Sequence, residues 1–92
     1  MSAGTALESR ELTGRIALVT GGSRGIGRAI ASHLAAGGAR VAIVARGEDR
    51  AVAAASELPG EGHAGFTCDV ASETEVDALV ERVESAIGPV DI

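Results

Sequence analysis

The residues best suited to chemistry are the run Thr20-Gly21-Gly22-Ser23-Arg24-Gly25-Ile26-Gly27, then Arg46, then the pair Asp69-Val70. The run offers backbone more than side chains. Residues without a Cβ let the chain reverse sharply and let a ligand approach the peptide groups closely, and Gly21, Gly25 and Gly27 provide this. A helix that begins at such a turn leaves several N–H groups without an intrahelical partner, and its aligned peptide dipoles add about half a positive charge. A pyrophosphate is the natural guest. A plain glycine-rich turn would use the same residue types, so the elements around the run decide between the two. The triphosphate-binding alternative fails on composition: a Gly-x4-Gly-Lys-Ser/Thr loop needs a lysine, and the chain contains none.

The elements that must position this turn can be read on either side of it. Ile16-Ala17-Leu18-Val19 has no polar alternation, which suits a strand of a parallel sheet covered on both faces. After the turn, Ile26, Ile30 and Leu34 recur at i, i+4 and i+8, which predicts a helix that packs these three side chains on the sheet. Gly37-Gly38 gives a left-handed stop, and Val41 to Ala45 reads as a second apolar strand. Ile16 to Ala45 spans 30 residues, the length of a βαβ unit. A second helix is expected from about Glu48 to Leu58, with Val52, Ala55 and Leu58 on one side, ended by Pro59-Gly60. Ala64 to Cys68 follows as a short third strand.

The third helix carries the clearest signal. Ser72 and Glu75 form an S-x-x-E capping box, and Val76, Leu79, Val80, Val83 and Ile87 follow at helical spacing before Gly88-Pro89. Val90-Asp91-Ile92 would open a fourth strand. The predicted fold class is therefore α/β, with residues 1–11 as a flexible arm of small and polar residues and residues 12–92 as the folded unit. A sheet ended there would leave the first strand without its neighbour on the fourth-strand side, with self-association as the expected consequence.

Composition bounds the remaining possibilities. A chain of 92 residues buries only about 60–65% of its unfolded surface, so stability is marginal. Hydrophobic residues at 46% and charged ones at 23% describe an ordinary globular chain. The net charge of −5, with scattered arginines, argues against nucleic-acid binding. No run is long enough to span a membrane, and Glu8, Arg10 and Glu11 interrupt any signal-like stretch, which makes the cytoplasm the default location. The single Cys68 has no partner for an internal disulfide and reads as a small buried hydrophobe. Two distant histidines, His33 and His63, with one cysteine give no metal site. The acidic positions Glu73, Glu75, Asp77, Glu81 and Glu84 form the solvated side of the last helix, and no carboxylate pair suggests acid/base work.

The order Thr20-Gly21, three residues, Gly25, one residue, Gly27 resembles the short-chain dehydrogenase/reductase family, and most closely its 3-oxoacyl-(acyl carrier protein) reductase-like members. The resemblance runs from Leu12 to the end of the sequence. It implies a Rossmann-like βαβαβα half of a doubly wound parallel sheet, truncated at the start of the fourth strand. It also implies a cofactor-binding set of Gly21, Ser23, Arg24, Gly25, Ile26, Gly27, Arg46, Asp69 and Val70. In that family an acidic residue at the Ala45 position marks NAD use, whereas an arginine one residue later, or just before the middle glycine, marks NADP. This chain has Ala45, Arg46 and Arg24 there. A guanidinium facing a 2′-phosphate gains charge-assisted bonds of about 1.5–3 kcal/mol each. Ordinary solvated surface arginines remain the alternative for both residues. Asp69 and the following amide would hold the adenine, though Asp69 could equally cap a turn ahead of Ser72.

The family's hydride chemistry uses a tyrosine and a lysine in Tyr-x3-Lys, an upstream serine and an asparagine. This chain has no Tyr, Lys or Asn, so no catalytic residue is assigned. Two functions fit. One is the cofactor-binding part of an NADP-dependent reductase acting on a ketone or 3-oxoacyl substrate, with the catalytic half outside these residues and a homo-oligomeric full-length parent. The other is a non-catalytic nucleotide-binding module or degenerate fragment.

Overall fold

In the computed structural model, residues 11–69 and 71–92 are described, so most of the expected N-terminal arm and Val70 lie outside the described residues. Three strands alternate with three helices: β1 (Ile16–Thr20), α1 (Gly25–Ala36), β2 (Arg40–Ala45), α2 (Glu48–Ser56), β3 (Ala64–Thr67) and α3 (Glu73–Ala86). The strands form one parallel sheet in the order β1-β2-β3, with Ile16 opposite Arg40, Thr20 opposite Val44 and Ala45 opposite Thr67.

The period-two geometry of β2 divides the core between the two faces of the sheet. Val41 and Ile43 point into a cluster with Ala31 and Ala35 of α1, Ala51, Ala54 and Ala55 of α2, and Leu58. Ala42 and Val44 point the other way, toward Phe66, Cys68, and Leu79 and Val83 of α3. Helices α1 and α2 therefore cover one face and α3 the other, the arrangement of a doubly wound sheet. Every β2 residue from Val41 to Val44 is buried, which explains a strand without polar alternation.

Two helical faces differ from expectation, for one physical reason. Ile26 is 81% exposed and Ile30 is 49% exposed, and of the three residues expected to pack on the sheet only Leu34 reaches the core. The face turned to the sheet carries Gly27, Ala31 and Ala35 instead. A Cβ on Gly27 would stand 2.3 Å from the Gly21 carbonyl oxygen, so α1 approaches too closely for branched side chains. One residue step is about 100° around a helix, enough to turn Ile26 and Ile30 outward. Of the three residues expected on the inner side of α2, Ala55 and Leu58 are buried as expected, whereas Val52 is half exposed and Ala51 and Ala54 are buried in its place. A Cβ on Gly65 of β3 would fall 2.3 Å from the Ala51 carbonyl carbon, so here the helix backbone rests on the strand itself.

The expected stops are in place, with Gly38 at φ +102° supplying the left-handed residue after α1 and Gly37 remaining right-handed. Ser72 caps α3 by accepting the Glu75 amide at 3.3 Å. The reciprocal half of the box is redirected: the Ser72 amide donates to the Asp69 carbonyl, and Glu75 Oε1 accepts from the Asp69 amide at 3.2 Å.

Residues 90–92 form no assigned strand but lie along the free edge of β1. The Asp91 amide donates to the Ile16 carbonyl at 2.8 Å, and the Leu18 amide donates to the Ile92 carbonyl at 2.9 Å. Asp91 Oδ2 accepts the Ile16 amide at 2.9 Å, and its Oδ1 lies 3.7 Å from Arg15. The edge of β1 expected to stand open is thus engaged from Ile16 to Leu18. The chain has crossed from β3 to the far side of β1, so the winding of the sheet reverses at β1.

Candidate nucleotide-binding site

In open α/β sheets ligands bind beyond the carboxyl ends of the strands, where the winding reverses. Here that point is the end of β1, and the glycine turn begins there. Gly21 extends the strand pairing by one bond, its amide donating to the Val44 carbonyl at 2.8 Å, and then turns with φ +66°. Gly25 has φ +65°, and a Cβ on either residue would meet nothing within 4 Å. Those two glycines serve conformation and leave open space above them. Gly27 serves proximity, because its Cα sits against the Gly21 peptide. Arg24 is the N-cap of α1 in extended conformation and makes no side-chain cap bond, so its own side chain leaves the first amides of the helix unoccupied.

Three open clefts line the same rim of the sheet. The first, of about 280 Å³, is bordered by Thr20, Gly21, Ala45, Arg46 and Cys68. It adjoins a second of about 460 Å³, sharing Arg46 and Cys68 and adding Thr67, Asp69 and Glu75. Ser23 and Arg24 face a third of about 270 Å³, between α1 and α2, together with Arg28, Arg50 and Glu57. Among the described residues Arg28 pairs with Glu57, whereas Arg24, Arg46 and Arg50 have no carboxylate within ion-pair distance. A larger hollow of about 580 Å³ lies along α3, where Arg82 stands over the Phe66 ring, and shares no residue with the rim.

The predicted site residues are brought together unequally. The Gly21–Gly27 turn and Arg46 share the rim, and Asp69 closes its far end. Asp69 Oδ1 accepts the Ala71 amide at 3.0 Å, so the turn-capping role is realised with one oxygen, and the other has no partner among the described residues. Val70 lies outside the described residues. Cys68 is buried in the core cluster of α3. His63 is structural, accepting the Val41 amide through Nδ1 at 3.0 Å while Nε2 lies 2.7 Å from the Pro59 carbonyl. Among the described residues no three metal-ligating side chains come together, and no helix is long and apolar enough to cross a membrane.

The family model for the short chain dehydrogenases matches residues 15–92. The chain is a member of that family. It is 45% identical over 76 residues to carbonyl reductase family member 4 of Danio rerio, covering 83% of this chain and 32% of that protein. It is 46% identical over 77 residues to the human 3-oxoacyl-[acyl-carrier-protein] reductase, covering 84% of this chain and 32% of that protein. Among solved structures it resembles the 3-ketoacyl-(acyl-carrier-protein) reductase of Brucella melitensis in complex with NADH. The TM-score is 0.81 at 40% identity, covering 88% of this chain and 33% of that one. The chain thus spans about a third of the length of the relatives it matches.

Sequence reasoning missed Arg50, Glu57, Thr67 and Glu75 as residues of the rim. Arg50 had a usable signal, since it lies in the first turn of α2, three residues past the N-cap Gly47. The Glu75 bond to the Asp69 amide had none, because a capping box directs that carboxylate to the cap residue's own amide.

Proposed function

We propose that this chain is the cofactor-binding part of an NADP-dependent short-chain dehydrogenase/reductase that transfers hydride between NADPH and a ketone or 3-oxoacyl substrate. The observation that carries the proposal is the cradle itself: two left-handed glycines under open space, a helix start whose N-cap side chain makes no cap bond, and arginines at the ends of the turn and of β2 that make no ion pair among the described residues. A dinucleotide fits these groups. The amides of Gly21 to Gly27, with Ser23 and Ile26 between them, would hold the pyrophosphate. Asp69 and Val70 would hold the adenine end.

When bound, the nicotinamide dinucleotide supplies the hydride, and these residues contribute binding and orientation. The choice of NADP rests on this chain's own side chains: Ala45 presents no carboxylate to a ribose 2′-hydroxyl, and Arg46 and Arg24, which pair with no carboxylate among the described residues, would meet a phosphate. With no tyrosine, lysine or asparagine in the sequence, proton transfer is assigned to a part of the protein beyond these residues. Cytoplasmic location and a homo-oligomeric whole belong to the same proposal.

Titration of the full-length protein with NADPH and NADH tests it, using nucleotide fluorescence. NADPH should bind at least about tenfold tighter, and Arg46→Asp should weaken NADPH far more than NADH. Equal losses for the two nucleotides would refute the assignment.

A further inference from the structure

The cleft between α1 and α2 carries positive charge beyond Arg24, the one of the two arginines assigned to the 2′-phosphate that lines it. Three guanidiniums, Arg24, Arg28 and Arg50, face it with a single carboxylate, Glu57, in a chain of net charge −5. Glu57 is committed to Arg28. Among the described residues Arg50 has no carboxylate within ion-pair distance, although Glu48 and Asp49 stand beside it in sequence.

The stem of Arg50 lies close to the turn at the end of β2 as well. A Cβ on Gly47 would lie 3.8 Å from both Cγ and Cδ of Arg50, so the aliphatic stem folds back over Gly47. Gly47 follows Arg46 directly, which brings the Arg50 guanidinium beside the turn at the end of β2. A positive charge placed there, with no carboxylate within ion-pair distance among the described residues, is suited to a phosphate dianion supplied from outside.

We propose that Arg50 is a further specificity-determining residue, forming with Ser23 and Arg24 a cleft for the 2′-phosphate of NADP(H), and that Glu57 moderates this cleft by neutralising Arg28. The proposal rests on the NADP assignment above and makes two predictions of opposite sign. Removing the Arg50 charge weakens 2′-phosphate binding. Removing the Glu57 charge frees Arg28, lessens repulsion of the anion and strengthens binding.

The test uses the full-length protein and two probes without nicotinamide, adenosine 2′,5′-bisphosphate and adenosine 5′-monophosphate, beside NADPH and NADH. Arg50→Gln should weaken the bisphosphate and NADPH about three- to tenfold, between the values of an exposed ion pair and a charge-assisted bond, and leave the other two within about twofold. Glu57→Gln should tighten the same two ligands by about twofold. Arg50 is exposed and makes no ion pair among the described residues, so its variant should melt as the wild type does. If Arg50→Gln affects all four ligands alike, or none, while Arg46→Gln still separates them, Arg50 is no reader and the NADP assignment survives. If Glu57→Gln weakens the bisphosphate, the moderating role of Glu57 is overturned. If the wild-type protein holds the bisphosphate no more tightly than the monophosphate, the NADP assignment falls and this proposal with it.

Discussion

A single methyl group on Gly27 probes the contact on which the cradle depends. In Gly27→Ala the new Cβ would stand 2.3 Å from the Gly21 carbonyl oxygen, 2.8 Å from its carbon and 3.3 Å from Gly22 Cα. All are backbone atoms, so no side chain can swing away, and α1 must retreat from the turn by about 1 Å to restore van der Waals distance. Overpacking of this kind costs about 1–3 kcal/mol, and contact with rigid backbone belongs at the upper end. Alanine returns up to about 1 kcal/mol of helix propensity. The net loss should be about 2 kcal/mol, read as a lower urea midpoint with unchanged slope. Because the amides of the turn shift together, NADPH and NADH should lose affinity equally, by about tenfold. Gly25→Ala is the matched control. Its Cβ meets nothing, and its cost of about 1–2 kcal/mol comes only from φ +65°. A Gly27→Ala protein at least as stable as the wild type, with unchanged nucleotide binding, would refute the close-contact argument.

Other substitutions test the scaffold away from the nucleotide. Ser72→Ala removes the acceptor of the Glu75 amide and should cost about 1 kcal/mol in a denaturant melt while leaving the ratio of NADPH to NADH affinity unchanged. Gly65→Ala would press a Cβ into the Ala51–Val52 peptide from 2.3–2.4 Å, and the loss should exceed about 3 kcal/mol, seen as insoluble expression or a collapsed melting transition. Val83, fully buried on the inner face of α3, should cost about 2–3 kcal/mol on truncation to alanine, by calorimetry or urea melt, because two methyls leave a cavity on the sheet face.

Much of the architecture was legible because its signals are local. Apolar runs without alternation marked β1 and β2, and the Ser72 signature and the spacing of Val76, Leu79 and Val83 marked α3 to within a residue or so. The glycine turn was legible for the same reason: its order within strand, turn and helix is a short-range pattern. The inward faces of α1 and α2 were legible only in part: Leu34, Ala55 and Leu58 reach the core as expected, and the other positions do not. Periodicity says which residues share a face, but the preference for large apolar residues chose Ile26, Ile30 and Val52, where the sheet takes Gly27, Ala31 and Ala51.

The sequence by itself therefore determined the alternation of elements, the phosphate-binding turn and the family, since each depends on residues close together in the chain. Only the tertiary structure decided how near α1 and α2 come to the sheet, which atoms of Asp69 and Glu75 are already engaged, and that Arg50 joins Ser23 and Arg24 across the cleft between the two helices. Those outcomes depend on distances through space, of Gly27 from Gly21, of Gly65 from Ala51 and of Arg50 from Arg24, which span from six to 26 positions of sequence. Such distances are set by backbone contacts at glycine, and no pattern of side-chain types encodes them.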